Sequence, residues 1–282
     1  MLCAWDAFIN LLPVNIREDV DKLGRTTLQE VRLRIGLPPE LILKNQSITL
    51  DRPVRLEDLQ HCVNFASRYS PWTTGTIGHG YITAPGGHRV GVLGRYATDQ
   101  GSCSALQSPA MLCLRVARDF GGIASEAADI NGSILIIGKP GCGKTTLLRD
   151  LIRQRSNRHA GNISVVDEKE EIFPRHNNNL CFPPGRRTDV VSGCRKKEGI
   201  EMALRNMTPS IIAVDEITAE EDCAAILHAG WCGVDLYATA HAGSPSDLLN
   251  RPIYKSITQI GLFQTLLIMQ PDKSWHAERI NL

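Results

Sequence analysis

Ile134-Leu135-Ile136-Ile137-Gly138-Lys139-Pro140-Gly141-Cys142-Gly143-Lys144-Thr145-Thr146-Leu147-Leu148 is the stretch on which the reading of the fold turns. An apolar run ends at a glycine-rich loop, and apolar residues resume at helical spacing in Leu147, Leu148, Leu151 and Ile152. A strand, a Gly-x-x-x-x-Gly-Lys-Thr loop and a helix in that order make a Walker A arrangement. Its glycines let backbone N–H groups and the helix N-terminus face an anion. On this reading Gly138, Lys139, Pro140, Gly141, Cys142, Gly143, Lys144, Thr145 and Thr146 hold ATP. Lys144 meets the β and γ oxygens and Thr145 holds Mg²⁺. The competing reading is an ordinary glycine-rich turn, and the flanking strand and helix weigh against it.

Working outward, strands alternate with helices from Gly132 onward, which predicts a mostly parallel sheet covered on both faces. Residues 163–166, 211–214 and 234–240 are the further strand candidates, with helical stripes at Ile200, Ala203, Leu204 and Met207. Thr218-Ala219-Glu220-Glu221 fits a capping box opening a third helix toward Ala229. Residues 211–216 form a buried strand delivering Asp215 and Glu216 at its carboxyl end, where open α/β sheets bind ligands. Asp215 is expected to orient Mg²⁺ and Glu216 to polarise the attacking water; the alternative is an acidic pair that merely caps a helix. Glu168 and His241 also follow strands. Glu168 is a candidate second metal or water ligand, and His241 is either a γ-phosphate sensor or a satisfied strand-end histidine.

The first part of the chain has a different pattern. Val31, Leu33 and Ile35 alternate with Arg32 and Arg34 as in a half-buried strand, and residues 41–43 and 48–50 read as short strands. Leu59, Cys62, Val63 and Ala66 recur at helical spacing, and residues 79–83 and 89–96 flank Ala84-Pro85-Gly86-Gly87, a turn suited to a hairpin. Leu112, Leu114 and Val116 suggest one more strand. The expected organisation is a smaller α+β domain over residues 1–120 and an α/β P-loop ATPase domain over 121–282.

Several segments together resemble a known family. Residues 203–217 and 233–241 look like the Walker B and His-box regions of the RecA-like, hexameric type II and type IV secretion ATPases. Most of the chain resembles the sporulation stage III protein AA family. The resemblance is carried by residues 30–36, 67–70, 85–91, 167–168 and 187–190. Leu37-Pro38 replaces the Arg-Pro expected there, Asn177, Asn178 and Asn179 look inserted, and the cysteine-rich zinc element of many type II members is missing. The resemblance implies a RecA-like core and a homohexamer. It also implies an ATPase that drives or regulates membrane proteins of an export apparatus, the channel between mother cell and forespore in sporulation.

Composition excludes some alternatives. The chain of 282 residues is 43% hydrophobic with a formal net charge of +1, so neither disorder nor a strongly basic nucleic-acid binder fits. A RecA- or helicase-like nucleic-acid motor shares the nucleotide core, and its support is the basic stretch Arg186, Arg187, Arg195, Lys196 and Lys197, otherwise a solvated face. Nucleic acid is not the expected partner. A small-molecule kinase and an ATP-binding subunit without turnover are the other classes. Nine cysteines without a C-x-x-C pair suit reduced thiols, and no apolar run is long enough to span a bilayer. A cytoplasmic protein is therefore expected, and the resemblance implies that it is peripheral at a membrane through a protein partner. Phosphoryl transfer calls for an arginine on the developing γ-phosphate charge. Arg89 and Arg95 share a strand face by the period of two and are the candidates to reach a neighbouring subunit's ATP site, with Arg68 and Arg115 on flanking elements.

Overall fold

Val31 and Leu33 point inward from a strand whose charged neighbours point out, and around them a small sheet is built. A computed structural model describes residues 1–44, 46–67, 80–99 and 102–280, and divides the chain into two units. The first is Met1–Asp119 with Pro174–Cys181, and the second is Phe120–Phe173 with Phe182–Leu282.

In the first unit, helices α1 (Trp5–Leu11) and α2 (Val14–Thr27) precede strands β1 (Leu28–Arg34), β2 (Glu40–Leu43) and β3 (Ser47–Thr49). Helix α3 (Leu56–Ser67) and strands β4 (Tyr81–Thr83), β5 (Arg89–Asp99) and β6 (Ser102–Arg115) follow. The sheet is antiparallel in the order β3-β2-β1-β6-β5-β4. Leu33, Val90, Val92 and Leu114 bury against Phe8, Leu11, Leu59 and Cys62 of the helices. Strands β5 and β6 extend well past the expected 89–96 and 112–116 as a bulged ribbon, since pairing between them continues where the apolar alternation stops. The β4–β5 turn needs its glycines. Gly86 and Gly87 both have φ of 79°, and a Cβ on Gly87 would come within 2.9 Å of Pro174 Cγ.

The second unit holds β7 (Ile134–Ile137), α4 (Lys144–Arg158) and β8 (Ile163–Asp167). The hairpin β9 (Arg175–His176) and β10 (Asn179–Leu180) then leaves it to join the first unit. A single boundary at residue 120 therefore misses one feature: the asparagine-bearing segment lies within the second unit's sequence but packs with the first. The second unit continues with β11 (Thr188–Ser192), α5 (Lys196–Asn206), β12 (Ile211–Val214), α6 (Glu220–Trp231) and β13 (Asp235–Ala240). It closes with two short helices, α7 (Pro245–Asn250) and α8 (Lys255–Gln259), and strands β14 (Thr265–Met269) and β15 (Trp275–Arg279). The sheet order is β11-β8-β12-β13-β7-β14-β15, parallel throughout except for the last pair. Strands β7, β8, β12 and β14 are buried at every position, the mark of a parallel sheet covered on both faces.

Two local expectations change. Strands β11, β14 and β15 have no counterpart in the sequence reading. The cap of α6 also differs: Ala219 is the N-cap, and Asp222, not Glu221, reaches back to accept from Thr218 N at 3.0 Å and Ala219 N at 3.2 Å. Alanine has no oxygen to return the bond, so only half of a capping box exists.

Candidate active site

The sheet order sets the carboxyl ends of β8, β12, β13 and β7 side by side, and each ends in a residue of the candidate site. After β7 the loop turns through Gly141 (φ 78°) and Gly143 (φ 106°), left-handed values that glycine tolerates. Helix α4 then begins at Lys144, so its first N–H groups lack intrahelical partners and face outward as anion donors.

The Lys144 side chain is buried. Its Nζ donates to Gly138 O at 3.0 Å and to Lys139 O at 3.2 Å, and lies 2.9 Å from His241 Nδ1. An ammonium can only donate, so Nδ1 accepts and Nε2 carries the imidazole proton. That Nε2 lies 2.9 Å from Glu216 Oε1 and donates to it. Lysine, histidine and glutamate thus form one directed chain. Burial lowers the Lys144 ammonium from its ordinary value, against the opposing pull of Cys142, Asp215 and Glu216.

Asp215 anchors a second chain. Thr145 Oγ1 donates to its Oδ2 at 2.9 Å, and Thr239 Oγ1 donates to its Oδ1 at 2.6 Å. Glu216 N donates to Thr239 Oγ1 at 2.8 Å and to Asp215 Oδ1 at 3.0 Å. These bonds hold Glu216 at φ 39°, a left-handed conformation uncommon for a residue with a Cβ. A hydroxyl beside a carboxylate, next to the glycine-rich loop of residues 138–146, is the hard oxygen set that Mg²⁺ prefers, so the residues fit that ion.

Asp167 and Glu168 line a small cleft with Asp215, Glu216 and Lys196. Asp167 is a loop-former: its carboxylate accepts from Glu171 N at 2.8 Å and Phe173 N at 2.7 Å. Burial pushes its pKa up to about 6 against those bonds. Glu168 meets Lys196 Nζ at 2.8 Å, and Asp222 lies 3.6 Å from the same ammonium. Within the basic stretch read as a solvated face, Lys196 is therefore buried and paired.

The arginines lie on the first unit. Arg89 stacks on Tyr81, 4.1 Å from the ring centroid, and Arg95 is exposed on β5, where the pairing with β6 shifts register on either side of Gly94-Arg95. Arg115 pairs with Glu30 at 3.5 Å, and Arg68 lies outside the described residues. Thr239, at the end of the 234–240 strand candidate, and Lys196, within the basic stretch, were in view in the sequence, but the bonds they make here were not. Thr239 lies on β13 and His241 is the first residue past the end of that strand.

The family model for sporulation stage III, protein AA matches residues 6–278. The chain belongs to this family. It is 38% identical over 256 residues to the stage III sporulation protein AA of Bacillus subtilis (strain 168), an alignment covering 85% of this chain and 81% of that one. Among solved structures it is similar to the Legionella pneumophila ATPase DotB, with TM-score 0.61 and 16% identity, covering 95% of this chain and 80% of that one. The pilus retraction motor PilT with bound ADP gives TM-score 0.61 and 14% identity, covering 90% and 77%. The α/β core of this sporulation stage III protein is thus the RecA-like fold of the secretion ATPases, with the smaller antiparallel sheet preceding it. Among the described residues no helix is long and apolar enough to cross a membrane.

Proposed function

We infer that this member of the sporulation stage III protein AA family is an ATP-hydrolysing motor subunit, powering or regulating a membrane-embedded export or channel complex. The observation that carries this reading is the joining of Lys144, His241 and Glu216 into one hydrogen-bonded chain beside the Thr145–Asp215 pair. A phosphate-binding lysine wired to a carboxylate suits coupling of nucleotide state to water activation. In this reading residues 138–146 cradle the phosphates, Thr145 and Asp215 hold the metal, and Glu216 orients the attacking water. His241 registers the γ-phosphate position that its neighbour Lys144 contacts, and Glu168 steadies the cleft beside them. When bound, Mg²⁺ would neutralise charge on the β and γ oxygens.

The wider reading draws on family membership: a homohexamer, cytoplasmic and peripheral at a membrane, working on membrane proteins of the channel between mother cell and forespore. Arg89 or Arg95 would complete a neighbour's site. The test is Mg²⁺-dependent ATP turnover by the purified chain, with and without single-stranded DNA or RNA. Turnover indifferent to nucleic acid is expected; strong stimulation would favour a nucleic-acid motor, and no turnover a regulatory ATP-binding subunit. Capture of the Glu216→Gln protein with sporulating-cell membranes would then name the docked partner.

A further inference from the structure

Tyr254 is 4% exposed and closes the short turn Pro252–Tyr254 between α7 and α8. Its hydroxyl donates to Ile217 O at 3.2 Å, away from solvent. Burial raises the phenol above its ordinary value, while the backbone amide of His241 acts on the same oxygen in the opposite sense, so the group stays protonated and keeps its donor. A tyrosine in a core is ordinary. The carbonyl it meets here is not, because Ile217 follows Glu216, the residue held at φ 39°.

A left-handed residue with a Cβ persists where its surroundings over-determine it. On the amino side, Glu216 N donates to Thr239 Oγ1 and Asp215 Oδ1. On the carboxyl side, Ile217 N donates to Thr239 O at 3.0 Å, and Ile217 O takes the Tyr254 hydroxyl. Thr239 and Asp215 supply the first three of these restraints, and Tyr254, from outside the sheet, supplies the fourth.

The tyrosine is itself anchored. Its N donates to Arg251 O at 3.0 Å, and its carbonyl accepts from Thr258 Oγ1 at 2.9 Å. Cys223 Sγ of α6 donates to Ile253 O at 3.1 Å. Further back, Asp247 accepts from Gly243 N at 2.8 Å and pairs with Arg251 at 3.1 Å. The chain thus leaves the candidate site at His241, runs through α7, and returns at Tyr254 to bond beside Glu216. His241 and Glu216 are joined directly by their side chains and again through this braced loop.

We propose that Tyr254 is a positioning residue for ATP turnover, its hydroxyl acting through Ile217 to hold Glu216 in the conformation that aims its carboxylate at His241. The proposal rests on the reading of Glu216 as the group that orients the attacking water. Tyr254 has no part in the loop of residues 138–146, so its effect falls on the chemical step and not on ATP binding.

Tyr254→Phe keeps the ring and its packing and removes the hydroxyl. Turnover at saturating Mg²⁺·ATP should fall by about tenfold to a hundredfold, the scale of a misplaced reacting group, while the dissociation constant for ATP stays at its wild-type value. In the Glu216→Gln background the same change should bring no further loss, since the group it positions is already gone; a merely structural tyrosine would lower turnover by the same factor in both backgrounds. Cys223→Ala loosens the same segment at Ile253 O and leaves the hydroxyl in place, so its turnover should match the wild type. Cooperative thermal unfolding and ATP binding show that each variant is folded. Undiminished turnover in Tyr254→Phe would overturn the proposal, as would a loss that recurs in full in the Glu216→Gln background. An equal loss in Cys223→Ala, or a loss of ATP affinity matching the loss of turnover, would also overturn it, by assigning the effect to general loosening. Near-wild-type turnover in Glu216→Gln, or none in the wild type, would bring down the reading of Glu216 itself, and the role of Tyr254 with it.

Discussion

Glu216 and His241 lie 2.9 Å apart, Oε1 to Nε2, and the other imidazole nitrogen takes Lys144 at 2.9 Å. The carboxylate is therefore not free to wander: its orientation is tied to what the loop lysine is doing. Glu216→Gln should retain ATP affinity and lose turnover by about a hundredfold to ten-thousandfold, because an amide is not a base. Equilibrium binding and single-turnover hydrolysis check this. Turnover close to wild type would move water activation to Glu168.

The arginine assignment predicts complementation. Lys144→Ala should lose nucleotide affinity because the phosphate charge is left without its ammonium. The paired variant Arg89→Ala/Arg95→Ala should bind ATP and turn over slowly. Mixing the two impaired proteins should raise turnover above that of either alone, since the arginine variant keeps an intact loop and the lysine variant keeps the arginines. No recovery at any ratio, with turnover per subunit independent of concentration, would assign these arginines to another task.

Lys196 gives a prediction about stability. In Lys196→Met the stem still fills its place, but Glu168 and Asp222 lose their shared cation. The expected cost is about 1–3 kcal/mol, below that of a fully buried pair because the Glu168 side chain is 33% exposed. Chemical denaturation measures it. Adding Glu168→Gln should return part of the loss, because the unpaired charge is removed with it.

His88 gives a pH dependence in the first unit. It lies 2.9 Å from Ala4 O through Nε2 and accepts from Ala117 N at 3.0 Å on Nδ1, so the neutral ring is the one that fits. Burial pushes its pKa down to about 4 from the ordinary 6.5. Between these values the unfolded chain binds the proton and the folded one does not. The stabilisation is thus present above about 6.5 and is lost as pH falls through about 4, a span of about 3 kcal/mol. The slope of unfolding free energy against pH should be shallower across that window in His88→Gln, whose amide can both donate and accept in the same place.

How much of this was legible in the sequence depends on how local each signal is. Residues 134–148 carry strand, loop and helix in one continuous run, so their geometry follows from neighbours alone. Asp215, Glu216 and His241 were visible as groups at strand ends, though the wiring between Lys144 and Glu216 is a product of strand order. Lys196 was not legible. It sits among Arg195 and Lys197, which suggest a solvated face, and its burial depends on Glu168 and Asp222, which other segments of the chain supply. Strand β14 was missed because a short continuous apolar run has no period to distinguish strand from helix. Strand β15 was missed because Trp275–Arg279 is mostly exposed and polar.

The excursion of Pro174–Cys181 has a practical meaning for anyone who would dissect the protein. Its return to Phe182 means that the chain passes between the units three times, at 119/120, 173/174 and 181/182. No single cut yields either part whole. A fragment starting at residue 121 carries a hairpin stripped of its packing partners, among them the Gly87 backbone against Pro174 and the Thr83 carbonyl 3.4 Å from His176 Nδ1. A fragment ending at 119 exposes the other side of the same contact. The units are interlaced in sequence, so that excising one wounds both, and a graft of the second unit onto another protein would need that hairpin shortened to a plain turn.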